Sequence, residues 1–207
     1  MADTLIDRYD AEAPGWHRML SRLGYDAAYD QLCEAVTGLS AANMILDVGC
    51  GSGALSVAAR RAGATDAALT LLDTSPEMLI NAATRLDVAP QNRLLMGVEG
   101  LSAHGARYDV VLCAHVIEHC DDPIEALSAM RAVLRPGGAL VLSVSKPHWC
   151  TAIIRWKWGS RAYREPEVRR LLKKAGFADV TAVTYAKGPP SRTSKGYVAY
   201  ANNSPTP

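Results

Sequence analysis

The stretch Asp47-Val48-Gly49-Cys50-Gly51-Ser52-Gly53 concentrates more potential chemistry than any other part of the chain. An apolar run, Met44-Ile45-Leu46, leads into it, and glycines then alternate with other residues. Glycine allows a tight turn and lets a ligand approach the backbone closely. A helix starting after Gly53 would present unpaired N–H groups and the positive end of its dipole. Asp73 closes a second apolar run twenty positions after Gly53. A carboxylate at such a place accepts hydrogen bonds from ribose hydroxyls. Together these residues describe a pocket for a nucleoside.

Which nucleoside is a question of charge. Gly49, Gly51 and Ala54 also satisfy the looser dinucleotide pattern G-x-G-x-x-(G/A). The glycines alone therefore leave a nicotinamide-dependent oxidoreductase open. Asp47 points elsewhere. A carboxylate beside the loop serves a pyrophosphate poorly, whereas it attracts a sulfonium or an ammonium group.

Three histidines are candidate general bases, in the order His115, His148 and His17, because imidazole titrates near neutral pH. His115-Val116-Ile117-Glu118-His119 also matches the H-x-x-E-H zinc signature, with Cys113 and Cys120 close by. That motif needs a long helix carrying both histidines on one face. Here a strand pattern precedes it and Asp121-Asp122-Pro123 follows, so the segment reads as a strand-end loop and no metal is expected. Lys146-Pro147-His148-Trp149 and Arg155-Trp156-Lys157-Trp158 interleave bases with three of the four tryptophans. They read either as a cover over an anionic or aromatic acceptor, through stacking and cation–π contacts, or as an interfacial or core patch. Arg169, Arg170, Lys173 and Lys174 read as the solvated face of a helix.

The elements that must position these residues alternate along the chain. Short apolar runs at 44–48, 68–73, 93–96, 108–113 and 139–145 read as strands. Helices are expected at 54–62, after Ser75-Pro76, from Asp122-Pro123 to about Leu134, and at 165–175. Strands apolar throughout and separated by helices imply a parallel sheet covered on both faces. Beyond Gly176, alternating runs at 179–187 and 195–201 are joined by too short a link for a helical crossover, so they should form an antiparallel hairpin. The expected fold class is α/β, a Rossmann-like doubly wound mixed sheet, mostly parallel with one antiparallel C-terminal strand, and a helical N-terminal lid.

Composition sets outer bounds. A chain of 207 residues is expected to form one domain, with a lid over 1–40, a core over 41–145, an acceptor-side segment over 146–201 and a tail over 202–207. Lysine and arginine number 22 against 21 acids, so a broadly cationic nucleic-acid binder is not expected. The charge is uneven: residues 1–40 carry a net −4 and residues 146–174 a net +7. The five cysteines are scattered, with no C-x-x-C pair, and suit a reducing compartment. No signal peptide and no membrane-spanning run are read, so a cytoplasmic monomer or homodimer is expected.

Four stretches in order carry a family resemblance. They are Ile45-Leu46-Asp47-Val48-Gly49-Cys50-Gly51-Ser52-Gly53, Leu72-Asp73-Thr74-Ser75-Pro76-Glu77-Met78-Leu79, Tyr108-Asp109-Val110-Val111 with His115-Val116-Ile117-Glu118-His119, and Leu134-Arg135-Pro136-Gly137-Gly138. The chain resembles the class I S-adenosylmethionine-dependent methyltransferases, in particular the small-molecule type-11 group that includes ubiquinone and menaquinone C-methyltransferases. The resemblance covers about residues 44–145. It implies methyl transfer from S-adenosylmethionine to a small-molecule acceptor. Asp47, Gly49, Cys50 and Gly51 would hold the methionine end and Asp73 the ribose. Thr74 and Met78 would flank the adenine, while Cys113, Ala114 and His115 would floor the pocket. Tyr9 would close over it from the lid, with Trp16 and His17 nearby. The family usually has a Gly-Asp pair after the third strand. Here Gly97 is followed by Val98 and Glu99, so either the backbone of Val98 and Glu99 reads the adenine or that contact is missing. A protein that binds the cofactor without catalysis is a further alternative.

Overall fold

The computed structural model describes residues 5–149 and 159–202. Among them, seven strands form one sheet: β1 (Met44–Val48), β2 (Ala68–Asp73), β3 (Arg93–Leu95), β4 (Tyr108–Ala114), β5 (Leu134–Ser145), β6 (Phe177–Val183) and β7 (Ser194–Ala201). The helices are α1 (Leu5–Leu23), α2 (Tyr25–Glu34), α3 (Ala54–Arg61), α4 (Pro76–Leu86), α5 (Pro123–Ala132), α6 (Glu165–Lys174) and a single turn, α7 (Pro190–Thr193). The strand order is β3-β2-β1-β4-β5-β7-β6. β1 to β5 pair in parallel, and β7 runs antiparallel to both β5 and β6.

Strand alternation divides the buried side chains between two faces. Ile45, Leu71, Leu112 and Val141 pack toward α2, α3 and α4, while Leu46, Val48, Val111 and Leu140 join Leu127, Met130, Val168 and Leu172 of α5 and α6. Burial on both faces explains why these strands read as unbroken apolar runs. Chain order reverses between β1 and β4, which opens a crevice at the carboxyl ends of the parallel strands. Helix starts are fixed locally. Ser75 Oγ accepts from the Met78 N–H, and Asp122 accepts from the Ile124 and Glu125 N–H groups, each just before a proline in the first helical turn. Among the described residues, no helix is long and apolar enough to cross a membrane.

Two expected boundaries are corrected. The helix expected to reach Leu134 stops at Ala132, and Leu134 already pairs with Tyr108 as the first residue of β5. Pro136-Gly137-Gly138 lies inside that strand at a register shift, with Gly137 at φ +73°. It is a bulge that re-aims β5 rather than a helix terminator. The hairpin runs earlier than expected: β6 starts at Phe177 and ends at Val183, with a register shift between Ala178 and Thr181 and Asp179 at φ +48°. α7 occupies part of its connection.

Candidate active site

The loop after β1 takes its shape from three glycines in the left-handed region, Gly49 at φ +63°, Gly51 at +50° and Gly53 at +73°. Side chains rarely adopt this conformation. At Gly49 a Cβ would also collide with the Val116 side chain. The Cys50 N–H donates to the Leu72 carbonyl (3.0 Å) and the Gly53 N–H to the Cys50 carbonyl (2.7 Å). Asp73 completes the construction. Its Oδ2 accepts from the Gly51 N–H at 2.8 Å and its Oδ1 from the Ser75 N–H at 2.9 Å. One carboxylate thereby fixes the β1 loop against the start of α4. Burial pushes the Asp73 carboxyl up, opposed by the N–H groups of Ser75, Gly51 and Thr74.

Asp47, at the end of β1, is 1% exposed and accepts from Ser56 Oγ of α3 at 2.6 Å. Burial raises its pKa to about 7; the Ser56 hydrogen bond holds it down and the neighbouring Asp73 adds to the rise. The group therefore loses its proton near neutrality.

These residues line one cavity of about 460 Å³. Of the expected cofactor residues, Asp47, Gly49, Cys50, Gly51, Asp73, Thr74, Met78, Val98, Ala114, His115 and Tyr9 all face it. Cys113 does not. Side chains alternate along β4, so the neighbour of Ala114 points to the opposite face, fully buried in the cluster with Val111 and Leu142. Glu99 also lies off the cavity: it is exposed, and its carboxylate folds back against Gly97. Val98 alone of that pair lines the wall.

Among the base candidates, His115 alone reaches the cavity. His17 points toward α4, off the cavity, with Nδ1 3.0 Å from the Arg85 guanidinium; burial and that positive charge lower its pKa. His148 lies against Trp149, which is 75% exposed, and neither lines the cavity. The expected aromatic cover over Trp156 and Trp158 lies outside the described residues. Trp16 does contribute. Its indole Nε1 would be 3.7 Å from a Cβ on Gly51, and its ring meets Tyr9 edge-on at 5.5 Å.

His115 has φ +59°, the one left-handed residue in the cavity wall that is not glycine. Its Nδ1 lies 3.0 Å from Glu118 Oε1, which also accepts from the Ser145 N–H at 2.7 Å. Burial works to raise the Glu118 carboxyl, but the His115 hydrogen bond and charge and the Ser145 N–H outweigh it and hold it below its ordinary value. Glu118 is thus ionised and can only accept, so Nδ1 carries the proton. His115 Nε2 is left as the acceptor, 3.4 Å from Ser143 Oγ, which itself accepts from the Tyr185 hydroxyl at 2.9 Å. Tyr9 and Tyr25 also line the cavity, but burial raises both phenols and keeps them protonated. The other histidine of the segment, His119, also lines the cavity, with Nε2 3.3 Å from the Tyr9 hydroxyl.

Sequence reasoning missed Glu118, Tyr25 and Tyr29 as wall residues. Glu118 stands three residues after His115, a spacing that brings the two together across one turn. Tyr25 and Tyr29 stand four apart on α2 and so share a helix face.

The cavity suits S-adenosylmethionine on three observations. Around Gly51 a Cβ would meet nothing nearer than the Trp16 indole, so the loop backbone lies open to a ligand. Asp47 offers negative charge for a cationic group near the loop. Among the described residues, the buried side-chain oxygens without a hydrogen-bond partner are Ser52 Oγ and Glu118 Oε2, and both residues line this cavity.

Known proteins agree with this fit. A family model described as a methyltransferase domain matches residues 16–182. A ubiquinone biosynthesis O-methyltransferase of Xanthomonas axonopodis is 30% identical over 186 residues, 76% of this chain and 74% of that protein. A protein of the same name from Xanthomonas campestris is 36% identical over 107 residues, covering 48% of this chain and only 41% of its own length. The N-methyltransferase NodS of Bradyrhizobium japonicum, solved with S-adenosylhomocysteine, has a TM-score of 0.73 at 19% identity, over 96% of this chain and 99% of that one. The chain belongs to the methyltransferase-domain family and is an S-adenosylmethionine-dependent methyltransferase related to the ubiquinone methyltransferase group.

Proposed function

We propose that the protein methylates a small, apolar, uncharged acceptor on an oxygen or nitrogen whose proton passes to His115. The observation that carries this reading is the position of His115, on the cavity wall with Nδ1 committed to Glu118 and Nε2 only weakly engaged. A donor–acceptor distance of 3.4 Å to a serine hydroxyl is beyond the ~2.7–3.2 Å usual for hydrogen bonds between nitrogen and oxygen. S-adenosylmethionine, when bound, supplies an electrophilic methyl group on a sulfonium that is already a good leaving group. The protein's work is to bind, align and exclude water.

In this reading the backbone of Gly49 to Gly51 and the Asp47 carboxylate hold the methionine end. Asp73, with two lone pairs already on backbone N–H groups, turns its remaining acceptor capacity to the ribose. Thr74, Met78 and Val98 enclose the adenine. α1 acts as a lid, with Tyr9 and Trp16 as its inner surface. The apolar acceptor lobe is formed by Leu20, Leu23, Tyr25 and Tyr29.

Charge narrows the acceptor. Glu12, Asp47, Asp73 and Glu118 line the cavity, and among the described residues no lysine or arginine does. An anionic acceptor would meet repulsion there, so of the anionic or aromatic acceptor expected from the sequence we keep the aromatic, uncharged one. The free thiols of Cys33, Cys50, Cys113 and Cys120 favour a cytoplasmic location. A monomer or homodimer suits the fold.

The test is release of S-adenosylhomocysteine from S-adenosylmethionine with a panel of phenols, aromatic amines and their carboxylated counterparts. Turnover should favour the uncharged members, and His115→Asn should lower it by about 10²–10⁴-fold while leaving S-adenosylhomocysteine binding intact. Preference for the carboxylates, or full activity without His115, would overturn this reading.

A further inference from the structure

Glu118 is an unusual residue to find at the floor of this cavity wall. It is 2% exposed, it is ionised, and only one of its oxygens is used. Oε1 takes both available hydrogen bonds, from His115 Nδ1 and from the Ser145 N–H, while Oε2 has no partner among the described residues. If the side chain served only to tie the loop at 115–119 to β5, a glutamine would do as well. Its carbonyl oxygen would accept the same two hydrogen bonds without a buried charge, which is costly to hold away from water. The negative charge therefore calls for a reason, and the adjacent imidazole supplies one.

We infer that Glu118 is the positioning residue of the methyl-transfer site, fixing His115 as the Nδ1–H tautomer and providing the counter-charge for the imidazolium formed when the acceptor gives up its proton. This rests on the reading of His115 as the base. The acceptor's lone pair forms the bond to the methyl carbon, and the carbon–sulfur bond breaks with its electron pair remaining on sulfur. The acceptor's proton goes to His115 Nε2, giving a cationic ring whose Nδ1–H still donates to Glu118.

The surroundings of the ring are consistent with a single electrostatic partner. From α2, the Tyr25 ring meets His115 edge-on with centroids 5.5 Å apart, and that phenol is kept protonated by burial. From β5, Ser143 and Ser145 are neutral, and Tyr185 behind Ser143 is held protonated by burial as well. From its own loop, His119 has its pKa lowered by burial and stays neutral. Asp47 and Asp73 share the cavity wall but make no hydrogen bond to the ring. Among the described residues, Glu118 is the carboxylate in contact with His115. The left-handed backbone at His115 holds the ring over that carboxylate. Such strain survives only where the surroundings impose it, and it gathers at functional sites.

The experiment is nitrogen NMR of histidine-labelled protein saturated with S-adenosylhomocysteine, with His115→Asn used to assign the ring. In the wild type the neutral ring of His115 should show a protonated Nδ1 and a bare Nε2. In Glu118→Gln, which keeps both hydrogen bonds and removes the charge, kcat with the best uncharged phenol of the panel should fall by about tenfold or more with KM unchanged. An Nε2–H tautomer in the wild type, or an unchanged kcat in Glu118→Gln, would overturn the inference. Should that variant fail to fold, the wild-type tautomer decides alone. Failure of the acceptor panel, by contrast, would count against the reading of His115 as base without touching the ring measurement.

Discussion

The two sides of the cavity are built by different means. On the side of β1 and β2 the wall is backbone: three left-handed glycines, fixed by one buried carboxylate through N–H groups of Gly51 and Ser75. On the side of α1 the wall is side chains carried on a helix with Pro14 in its interior, attached by Tyr9 to His119, by Asp10 to Ser75, and by His17 to Arg85. Backbone fixed by a buried acceptor is pre-organised before any ligand arrives. Exposed or half-exposed polar pairs contribute little each. On the function proposed above, cofactor recognition would reside in the rigid wall, and the α1 wall would add closure and selectivity. If so, changes to the first wall should be severe and changes to the second mild.

The largest effect should come from Gly51→Val. Holding an L-residue in the left-handed region costs about 1–2 kcal/mol, and the branched side chain would also project toward Trp16, into the cavity. We expect S-adenosylhomocysteine affinity to fall by about 100-fold, equivalent to about 2.8 kcal/mol, with the fold retained. Calorimetric titration against wild type measures it, and normal binding would reduce the loop to a simple turn. Next is Asp73→Ala. Hydrogen bonds to charged groups are worth about 1.5–3 kcal/mol, so affinity should drop by about one to two decades. Because Asp73 also pins the loop, thermal stability should drop with it. Equal affinities would remove Asp73 from the site and collapse the contrast between the walls.

These two residues were also the most legible in the sequence. The glycine spacing, the aspartate twenty positions on and the apolar strands around them are local patterns, and local patterns survive folding. The final hairpin was legible for a similar reason, since a short link excludes a helical crossover. What failed depended on contacts between distant segments. Cys113 and Ala114 looked equivalent until the register of β4 assigned them to opposite faces. His17 belonged to a segment correctly placed near the cavity, but helical phase turns Trp16 inward and His17 toward Arg85. Glu118 gains its significance from Ser145, 27 residues away, and no spacing rule announces that pairing. Pro136-Gly137-Gly138 carries no such local signal, because the same residue types end helices and kink strands, and here they form a bulge in β5.

A smaller effect, and a sharper one, concerns pH on the rigid wall. Burial raises the Asp47 carboxyl from 3.8 to about 7. Its contribution to fold stability is therefore fully present below pH 3.8 and is lost as pH rises through about 7. Binding of a cation runs the other way, because only the ionised group attracts it. Affinity for S-adenosylmethionine should increase by up to about tenfold as the group ionises, while S-adenosylhomocysteine, which lacks the sulfonium charge, should respond less. Asp47→Asn should flatten both profiles. Identical slopes for the two ligands in the wild type would mean that Asp47 does not sense the sulfonium.

The smallest effect should be at the α1 wall, through Asp10. The Ser75 hydroxyl donates to the Asp10 carboxylate while its oxygen accepts from the Met78 N–H, so one side chain both caps α4 and anchors α1. Asp10→Ala removes the anchor and leaves the cap, which separates attachment of α1 from stability of α4. A proline inside a helix costs about 3 kcal/mol, so α1 depends on such attachments and on its aromatic contacts to stay ordered. A net hydrogen bond is worth about 0.5–1.5 kcal/mol, and S-adenosylhomocysteine affinity should weaken by only about two- to tenfold. The more telling measurement is amide hydrogen exchange over residues 5–23, with and without S-adenosylhomocysteine. Exchange there should slow on binding in the wild type, since a ligand under Tyr9 and Trp16 adds apolar contact to the underside of the helix. In Asp10→Ala the unbound protein should exchange faster and the bound protein should recover most of the protection. The Gly49–Gly53 segment should be protected in both states. Unchanged exchange of α1 on binding would make it a fixed part of the scaffold, and the division of the cavity into a pre-organised wall and a closing one would fall.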